Sequence, residues 1–219
     1  LPDGCNYSAL MGLSPAYSVT FANSAAQPAL SVCIITFNQA AFIGEALEGV
    51  ARQKTSFPIE VIVGDDASTD ATVEICRSFG DRLPGLRVLT VEQNRGALKN
   101  ALDTLASCRG RYVAFCEGDD FWIDPNKLQL QFEALERHPE YALSFHAALV
   151  EHPDRRQEVW QPRGRQKSYT AFDLFDSWLM PTASVVFRNP GTYPSYMARA
   201  THGDLALFVY LASAGPIMY

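Results

Sequence analysis

What this chain lacks narrows its function before anything present is weighed. No G-x-G-x-x-G follows a strand-like run, and no G-x-x-x-x-G-K-[ST] occurs in the 219 residues. A dinucleotide fold needs the first to bring backbone amides to a pyrophosphate and a P-loop needs the second, so dehydrogenases and P-loop nucleotidases are set aside. The five cysteines, Cys5, Cys33, Cys76, Cys108 and Cys116, are odd in number, lack C-x-x-C spacing and lie mostly inside apolar segments. Reduced, buried thiols in a cytoplasmic setting are expected. No Lys or Arg precedes Arg52, which leaves a secretory signal without its charged start and a transit peptide without its basic face. The apolar stretch 205–219 is shorter than the roughly 20 residues of a membrane span and contains Gly215 and Pro216, so it reads as core. The net charge of −6 comes without a long run of one sign, which argues against a nucleic-acid surface and leaves 155–167 as a local basic exception.

The chain is 47% hydrophobic and 19% charged, enough to bury the core of one large domain, or of a domain with an appendage. It opens on Leu and stops after an apolar segment, as expected of a portion of something longer. Residues 1–29, rich in Ser, Ala, Pro and Gly, read as a loosely structured leader. From Leu30 a pattern sets in. "LSVCIITF" is a continuous β-branched run followed by "AAFIGEALEGVARQ", whose apolar positions recur at helical spacing. "IEVIVG", "LRVLTV" and "RYVAFC" repeat the alternation, each followed by a polar turn and then by the helix-like "ATVEICRSF", "ALKNALDTLASC" and "PNKLQLQFEALERH". Short apolar strands alternating with amphipathic helices predict a parallel sheet covered on both faces, with ligands at the carboxyl ends of the strands. Thr36 and Asn38, Asp65 and Asp66, Asn94 and Arg95, and Glu117 to Asp120 then share one rim. After His138 the pattern loosens: "YALSFHAALV" and "TASVVFRN" read as strands, 155–167 as a polar excursion, "YTAFDLFDSWL" as a short helix and "THGDLALFVYLASAG" as a longer one.

Without a glycine cradle, a diphosphate needs another counter-charge, and a divalent cation held by carboxylates supplies it. Oxygen-only ligands suit Mg²⁺ or Mn²⁺, with water and substrate phosphate completing the shell. Asp119 and Asp120 fit that demand, although an acidic pair after a strand is also what a capped turn looks like, and Asp124 with Pro125 starts a helix nearby. Asp70 suits a helix cap, whereas Asp65 and Asp66 fall directly after a strand, where a carboxylate can accept hydrogen bonds from a base or a ribose. His146 fits a packed strand residue, and Trp122, Trp178 and Phe187 could be core or faces for a sugar ring.

In order and spacing, "LSVCIITFN", "VIVGDDASTDAT", "NRG" and "YVAFCEGDDFW" with its following D-P-x-K-L resemble the family 2 glycosyltransferases, inverting enzymes of the GT-A fold. The likeness is close over 30–138 and looser beyond. It implies an α/β chain with a GT-A-type, Rossmann-like three-layer α/β/α arrangement and a mainly parallel central sheet. In that arrangement 30–138 is the nucleotide-sugar-binding half and 139–219 the acceptor-binding half. Thr36, Asn38 and Asp66 would line the nucleotide pocket, with Asn94, Arg95 and Lys99 bordering it. In "EGDD", Asp119 would face the ribose or the metal and Asp120 would bind the metal. Glu117 stands where Asp is commoner, and Gly64 and Ala67 also depart from the family's usual residues. Asp204, opening a late helix, would be the base that takes the proton of the acceptor hydroxyl. The resemblance thus implies an inverting, Mg²⁺- or Mn²⁺-dependent transferase of surface polysaccharide or glycan biosynthesis, with a UDP-sugar as favoured donor. Its acceptor would be a hydroxyl of a glycan or lipid-linked molecule, and a cytoplasmic site with peripheral contact at the inner membrane face is implied. The rival is a non-catalytic nucleotide-sugar or carbohydrate-binding module on the same fold.

Overall fold

A computed structural model describes residues 18–21, 27–83, 85–152, 154, 156–162, 164, 166–176 and 179–219. Cys5, Arg155, Trp178 and most of 1–29 lie outside them. In chain order the elements are β1 (Ser18–Phe21), β2 (Leu30–Thr36), α1 (Ile43–Ala51), β3 (Ile59–Asp65), α2 (Thr72–Ser78), β4 (Leu86–Thr90), α3 (Ala97–Ala106), β5 (Tyr112–Glu117) and α4 (Lys127–Arg137). There follow β6 (Leu143–Ser144), β7 (Ala148–Glu151), β8 (Gln157–Trp160), β9 (Ser168–Tyr169), α5 (Asp173–Asp176), β10 (Val186–Arg188), α6 (Gly203–Ala212) and β11 (Ile217–Met218).

One sheet takes the order β1-β4-β3-β2-β5-β10-β6-β11-β9. Its centre, β4-β3-β2-β5, is parallel throughout, which is the outcome expected of four consecutive strand-helix units. Alternating residues of these strands face opposite layers. Val32, Ile34, Val61, Val63, Tyr112 and Ala114 pack with Ile43 and Leu47 of α1, Cys76 of α2 and Leu128 and Leu135 of α4. Cys33, Ile62, Leu89, Val113 and Phe115 pack with Leu105 of α3 and Leu207, Phe208 and Leu211 of α6. Two apolar layers on one sheet make the three-layer α/β/α arrangement, and the strands are apolar along their length because both faces are covered.

Gly64 has a packing reason. A Cβ there would lie 1.9 Å from Thr104 Oγ1 and 2.7 Å from Asn100 Oδ1, so its absence lets α3 seat against β3, where Asn100 Nδ2 donates to the Gly64 carbonyl at 2.7 Å. At the opposite end of the sheet, buried Glu60 accepts from Ser31 Oγ at 2.7 Å and from Arg109 Nη2 at 2.7 Å. That network accounts for the polar residues that interrupt two apolar strands.

The later half departs from its expected elements. The segment read as a leader contributes β1, which pairs antiparallel with β4, Ser18 opposite Thr90. The strand expected over "YALSFHAALV" is two: β6 joins the main sheet beside β10, while β7 forms a separate hairpin with β8. Between them His146 Nδ1 bonds the Ala147 carbonyl at 2.7 Å. "TASVVFRN" begins with a 3₁₀ turn, Thr182–Ser184, before β10 runs antiparallel to β5. Among the described residues no helix is long and apolar enough to cross a membrane.

Candidate functional site

Sequential strands spread from β2 to β3 and β4 on one side, and the chain then returns to place β5 on the other. The strand order therefore reverses between β2 and β5, and in an open α/β sheet the crevice at such carboxyl ends is where ligands bind. Two loops meet there. The Gly118 amide donates to the Ile35 carbonyl at 2.9 Å, and Thr36 Oγ1, buried, donates to Gln39 Oε1 at 2.8 Å. A Cβ on Gly118 would lie 2.5 Å from Gln39 Oε1 and 2.9 Å from Thr36 Oγ1. The glycine of "EGDD" is what allows the carboxylate turn to close on the first loop.

The remaining rim loops are tied to these by short polar contacts. Asn38, with φ of 52°, accepts from the Thr69 amide at 2.8 Å, and its own amide donates to Ser68 Oγ at 2.8 Å. The Gln39 amide donates to Thr72 Oγ1 at 2.9 Å and that of Ala40 to Asp70 Oδ2 at 3.1 Å. Asp70 sits just before the N-cap Ala71 and accepts from the Thr72 hydroxyl at 2.5 Å and the Thr72 amide at 3.0 Å; the hydroxyl bond first, then those from the Ala40 and Thr72 amides, hold its carboxyl below the usual range. Asp66 is buried and reaches the next loop: Oδ1 accepts from the Arg95 amide at 2.8 Å and Oδ2 from that of Gly96 at 2.7 Å. Asn94 Oδ1 also accepts from Gly96, at 3.1 Å. Thr36, Asn38, Asp66 and Asn94 are thereby gathered on one rim, with their side chains shaping the loops. Lys99 is not drawn in the same way. Its exposed ammonium binds Asp103 Oδ2 at 3.1 Å along α3, and the Arg95 guanidinium pairs with the same carboxylate.

The carboxylate turn behaves differently from the loops around it. No described residue donates a hydrogen bond to the side chains of Glu117, Asp119 or Asp120. Burial first, then Asp120, Asp119 and Asp204, push the Glu117 carboxyl up to about 7. Asp120 has open surface, yet protein crowding it on one side and then Asp119 raise its carboxyl above the usual range. Asp204, at the start of α6, is thus within electrostatic reach of a turn more than eighty residues earlier. Gly203 helps to place it, because a Cβ there would lie 2.6 Å from Leu98 Cδ1 of α3. Glu117 is therefore a second carboxylate within electrostatic reach of Asp204.

These donors suit one hard cation. They are all oxygen, they repel one another without a protein cation hydrogen-bonded to them, and two adjacent carboxylates are what a Mg²⁺ or Mn²⁺ completed by phosphate and water uses. Among the described residues no three His, Cys, Asp or Glu side chains form a ready protein-only cage.

Two aromatics considered for a sugar face are core. Trp122 is buried with Nε1 donating to the Ala183 carbonyl at 2.8 Å, and Phe187 is fully buried. His146 is a packed residue, its pKa lowered to about 4 by burial and then by Lys127. Gln39 and Lys127 were not singled out from the sequence. A signal for Gln39 existed in its place three residues beyond Thr36, on the loop that meets Gly118; Lys127 carried none beyond its inclusion in D-P-x-K-L.

The family model described as glycosyl transferase family 2 matches residues 31–188, from β2 through β10. An uncharacterized protein of Mycobacterium tuberculosis is 39% identical over 190 residues, covering 86% of this chain and 55% of that protein. The putative teichuronic acid biosynthesis glycosyltransferase TuaG of Bacillus subtilis is 34% identical over 108 residues, 49% of this chain and 42% of TuaG. Among solved structures, S. aureus TarS 1–349 in complex with UDP matches with a TM-score of 0.67 at 21% identity, covering 86% of this chain and 57% of that one. The mannosyltransferase PcManGT from Pyrobaculum calidifontis, in complex with GDP-Man and Mn²⁺, matches at 0.62 and 19% identity, over 89% and 55%. The chain spans about half the length of such relatives, and the structural likeness is one of fold, the GT-A fold. By its matched residues and its three-layer sheet, this chain belongs to glycosyl transferase family 2.

Proposed function

We propose that this chain carries the donor site and the base of an inverting, divalent-metal-dependent glycosyltransferase. It would move a sugar from a nucleoside diphosphate sugar, UDP-linked by preference, to an acceptor hydroxyl. The observation that carries the reading is the approach of Asp204 to the Glu117–Asp120 turn at the sheet's switch point. Asp120 would hold the cation, with Asp119 turned to the nucleotide, and the cation's contribution when bound is to offset charge on the departing diphosphate. The loops carrying Thr36, Asn38, Asp66, Asn94 and Lys99 would form the nucleotide pocket. Each Asp66 oxygen accepts one backbone amide and retains a lone pair for a base N–H.

Asp204 accepts the proton of the acceptor hydroxyl as its oxygen bonds to the anomeric carbon. The bond to the diphosphate oxygen breaks on the opposite face, so configuration inverts. Retention by double displacement would instead need a carboxylate acting as nucleophile on the sugar rather than as base toward the acceptor. The putative teichuronic acid biosynthesis function in TuaG's name favours a surface-glycan or lipid-linked acceptor, which we place at the cytoplasmic face of a membrane.

The test is turnover of UDP-, GDP- and dTDP-sugars with Mn²⁺, following hydrolysis or transfer. Asp204→Asn should lower kcat by about 10²-fold or more while leaving UDP affinity intact. Full activity in that variant rejects the base. Nucleotide binding without turnover in the unaltered chain identifies a non-catalytic module instead.

A further inference from the structure

The starts of α3 and α6 meet beside the crevice. α3 grows out of the loop that Asp66 holds: the Arg95 and Gly96 amides donate to the Asp66 carboxylate, and the Gly96 carbonyl accepts the Asn100 amide at 3.0 Å to close the first turn. Leu98, half-buried, lies in that turn. α6 opens on Gly203 and carries Asp204, whose Oδ1 accepts the Leu205 amide at 2.8 Å. The carboxylate is thereby tied to the first turn of its own helix and moves with it. Leu207, Phe208 and Leu211 bury the body of α6, but His202 at its N-cap makes no side-chain capping bond, so no cap fixes where the helix starts.

What meets that start is Leu98. A Cβ on Gly203 would lie 2.6 Å from Leu98 Cδ1, 3.5 Å from its Cγ and 3.6 Å from its Cβ, and these are its three nearest atoms. The backbone does not ask for glycine, since Gly203 is not among the residues with positive φ, and alanine is the better helix former. What glycine supplies is room for the leucine to lie across the helix start. On the reading of Asp204 as the base, which this inference rests on, we infer that Leu98 is a positioning residue: seated on Gly203, it sets the first turn of α6, and Asp204 with it, from the loop that Asp66 holds. The chain of contacts is continuous, by hydrogen bond from Asp66 to Gly96, along one helical turn to Leu98, and by packing from Leu98 to Gly203. Donor pocket and base are thereby placed relative to each other.

The experiment is steady-state kinetics of the whole chain with Mn²⁺ and whichever of the UDP-, GDP- and dTDP-sugars it turns over fastest. The unaltered protein is compared with Leu98→Ala, Leu98→Met, Gly203→Ala and the Leu98→Ala/Gly203→Ala double variant. Titration with the matching nucleoside diphosphate measures donor-site affinity, and thermal unfolding checks that each variant is folded. Leu98→Ala removes the leucine and Gly203→Ala drives it and the helix apart. Each should lower kcat about tenfold or more, because a misplacement of about 1 Å costs up to about 10²-fold, while diphosphate affinity stays within about twofold. Leu98→Met, similar in volume, should keep kcat near that of the parent. In the double variant the new methyl enters space the leucine has left, so kcat should recover above both single variants. A lowered Tm with kcat unchanged means that the contact only braces the fold, and losses that multiply in the double variant mean that the two residues act separately; either result overturns the inference. Failure of the base reading looks different. Asp204→Asn then keeps full activity, or the unaltered chain turns over none of the donors, and the inference falls with it, whereas a failed inference leaves Asp204→Asn impaired and the Leu98 and Gly203 variants active.

Discussion

Lys127 should destabilise the protein it sits in, by an amount that depends on pH in a defined way. The residue opens α4 and is 5% exposed; no described residue accepts a hydrogen bond from its Nζ, which lies 4.3 Å from the centroid of the Trp122 ring. Burial, only partly offset by Cys116, lowers its pKa from 10.5 to about 7. Between those two values the unfolded chain holds a proton that the folded chain gives up, so stability from this group rises with pH across the window. Integrating the difference gives a cost on the order of 4 kcal/mol at pH 7 and about 2 kcal/mol at pH 9. Lys127→Met keeps an unbranched chain of similar reach and removes the titration. The attraction of the ammonium to the Trp122 face is already contained in the pKa and leaves the pH dependence unchanged. Urea unfolding of both proteins at the two pH values is the assay. The variant should be the more stable at pH 7, and its advantage should shrink by about 2 kcal/mol at pH 9. Burial raises the thiol of Cys76 to about 12, and that of Cys116 upward too, which changes stability in the opposite direction at high pH; most of that effect is common to both proteins and leaves the difference. A gap that does not narrow, or a variant less stable at both pH values, refutes the buried-ammonium argument.

The same residue shows where sequence reading stopped. In "KLQLQFEALER" Lys127 and Gln131 are polar positions one turn apart, indistinguishable by letter from a solvated helix face. They are buried because Trp122, Ser144, His146 and Ser184, from segments before and after α4, close over them. Only tertiary structure supplies that cover. The central strands were legible for the converse reason: "LSVCIITF" and "IEVIVG" are apolar at successive positions, and only a sheet covered on both sides accommodates that. The carboxylate turn was legible as acidic residues at a strand end, but Asp204 was placed by family likeness alone, since no periodicity relates a helix start to a turn so distant. Trp122 and Phe187 were ambiguous as letters because a large aromatic fills a core or a sugar site equally well, and the Trp122 bond to the Ala183 carbonyl decides for the core. Residues 18–21, Ser-Val-Thr-Phe, are mostly strand formers, but so short a run inside a Ser-, Ala- and Pro-rich stretch does not stand out, and its antiparallel pairing with the β4 edge is a long-range addition that local composition does not report.

Two further predictions concern the crevice and the strand that leads to it. Glu117 has its pKa raised to about 7, so in the folded protein it ionises only as pH rises through that value, and the repulsion among the rim carboxylates is then felt in full. Mn²⁺ relieves that repulsion, so the rise in Tm it produces should be larger at pH 8 than at pH 6, and equal shifts in a calorimetric comparison would exclude Glu117 from the cation's surroundings. The final prediction sets two nearby positions against each other. At Gly64 what matters is space: Gly64→Ala puts a methyl 1.9 Å from Thr104 Oγ1, with Thr104 and Asn100 both buried, and should cost about 1–3 kcal/mol. At Ala67 what matters is backbone angle. Its φ of 65° lies in the left-handed region, where a Cβ is strained by about 1–2 kcal/mol. Ala67→Gly exchanges that strain for the greater freedom of glycine in the unfolded chain and a partly buried methyl. It should leave stability within about 0.5 kcal/mol of the parent, where the same change in an ordinary segment costs about 0.5–1 kcal/mol. Denaturant midpoints for the two variants measure this directly. A Gly64→Ala protein as stable as the parent would mean that α3 does not seat on β3 at Asn100 and Thr104. An Ala67→Gly protein destabilised by a full kcal/mol would mean that the loop between Asp66 and Asp70 does not turn through a left-handed residue.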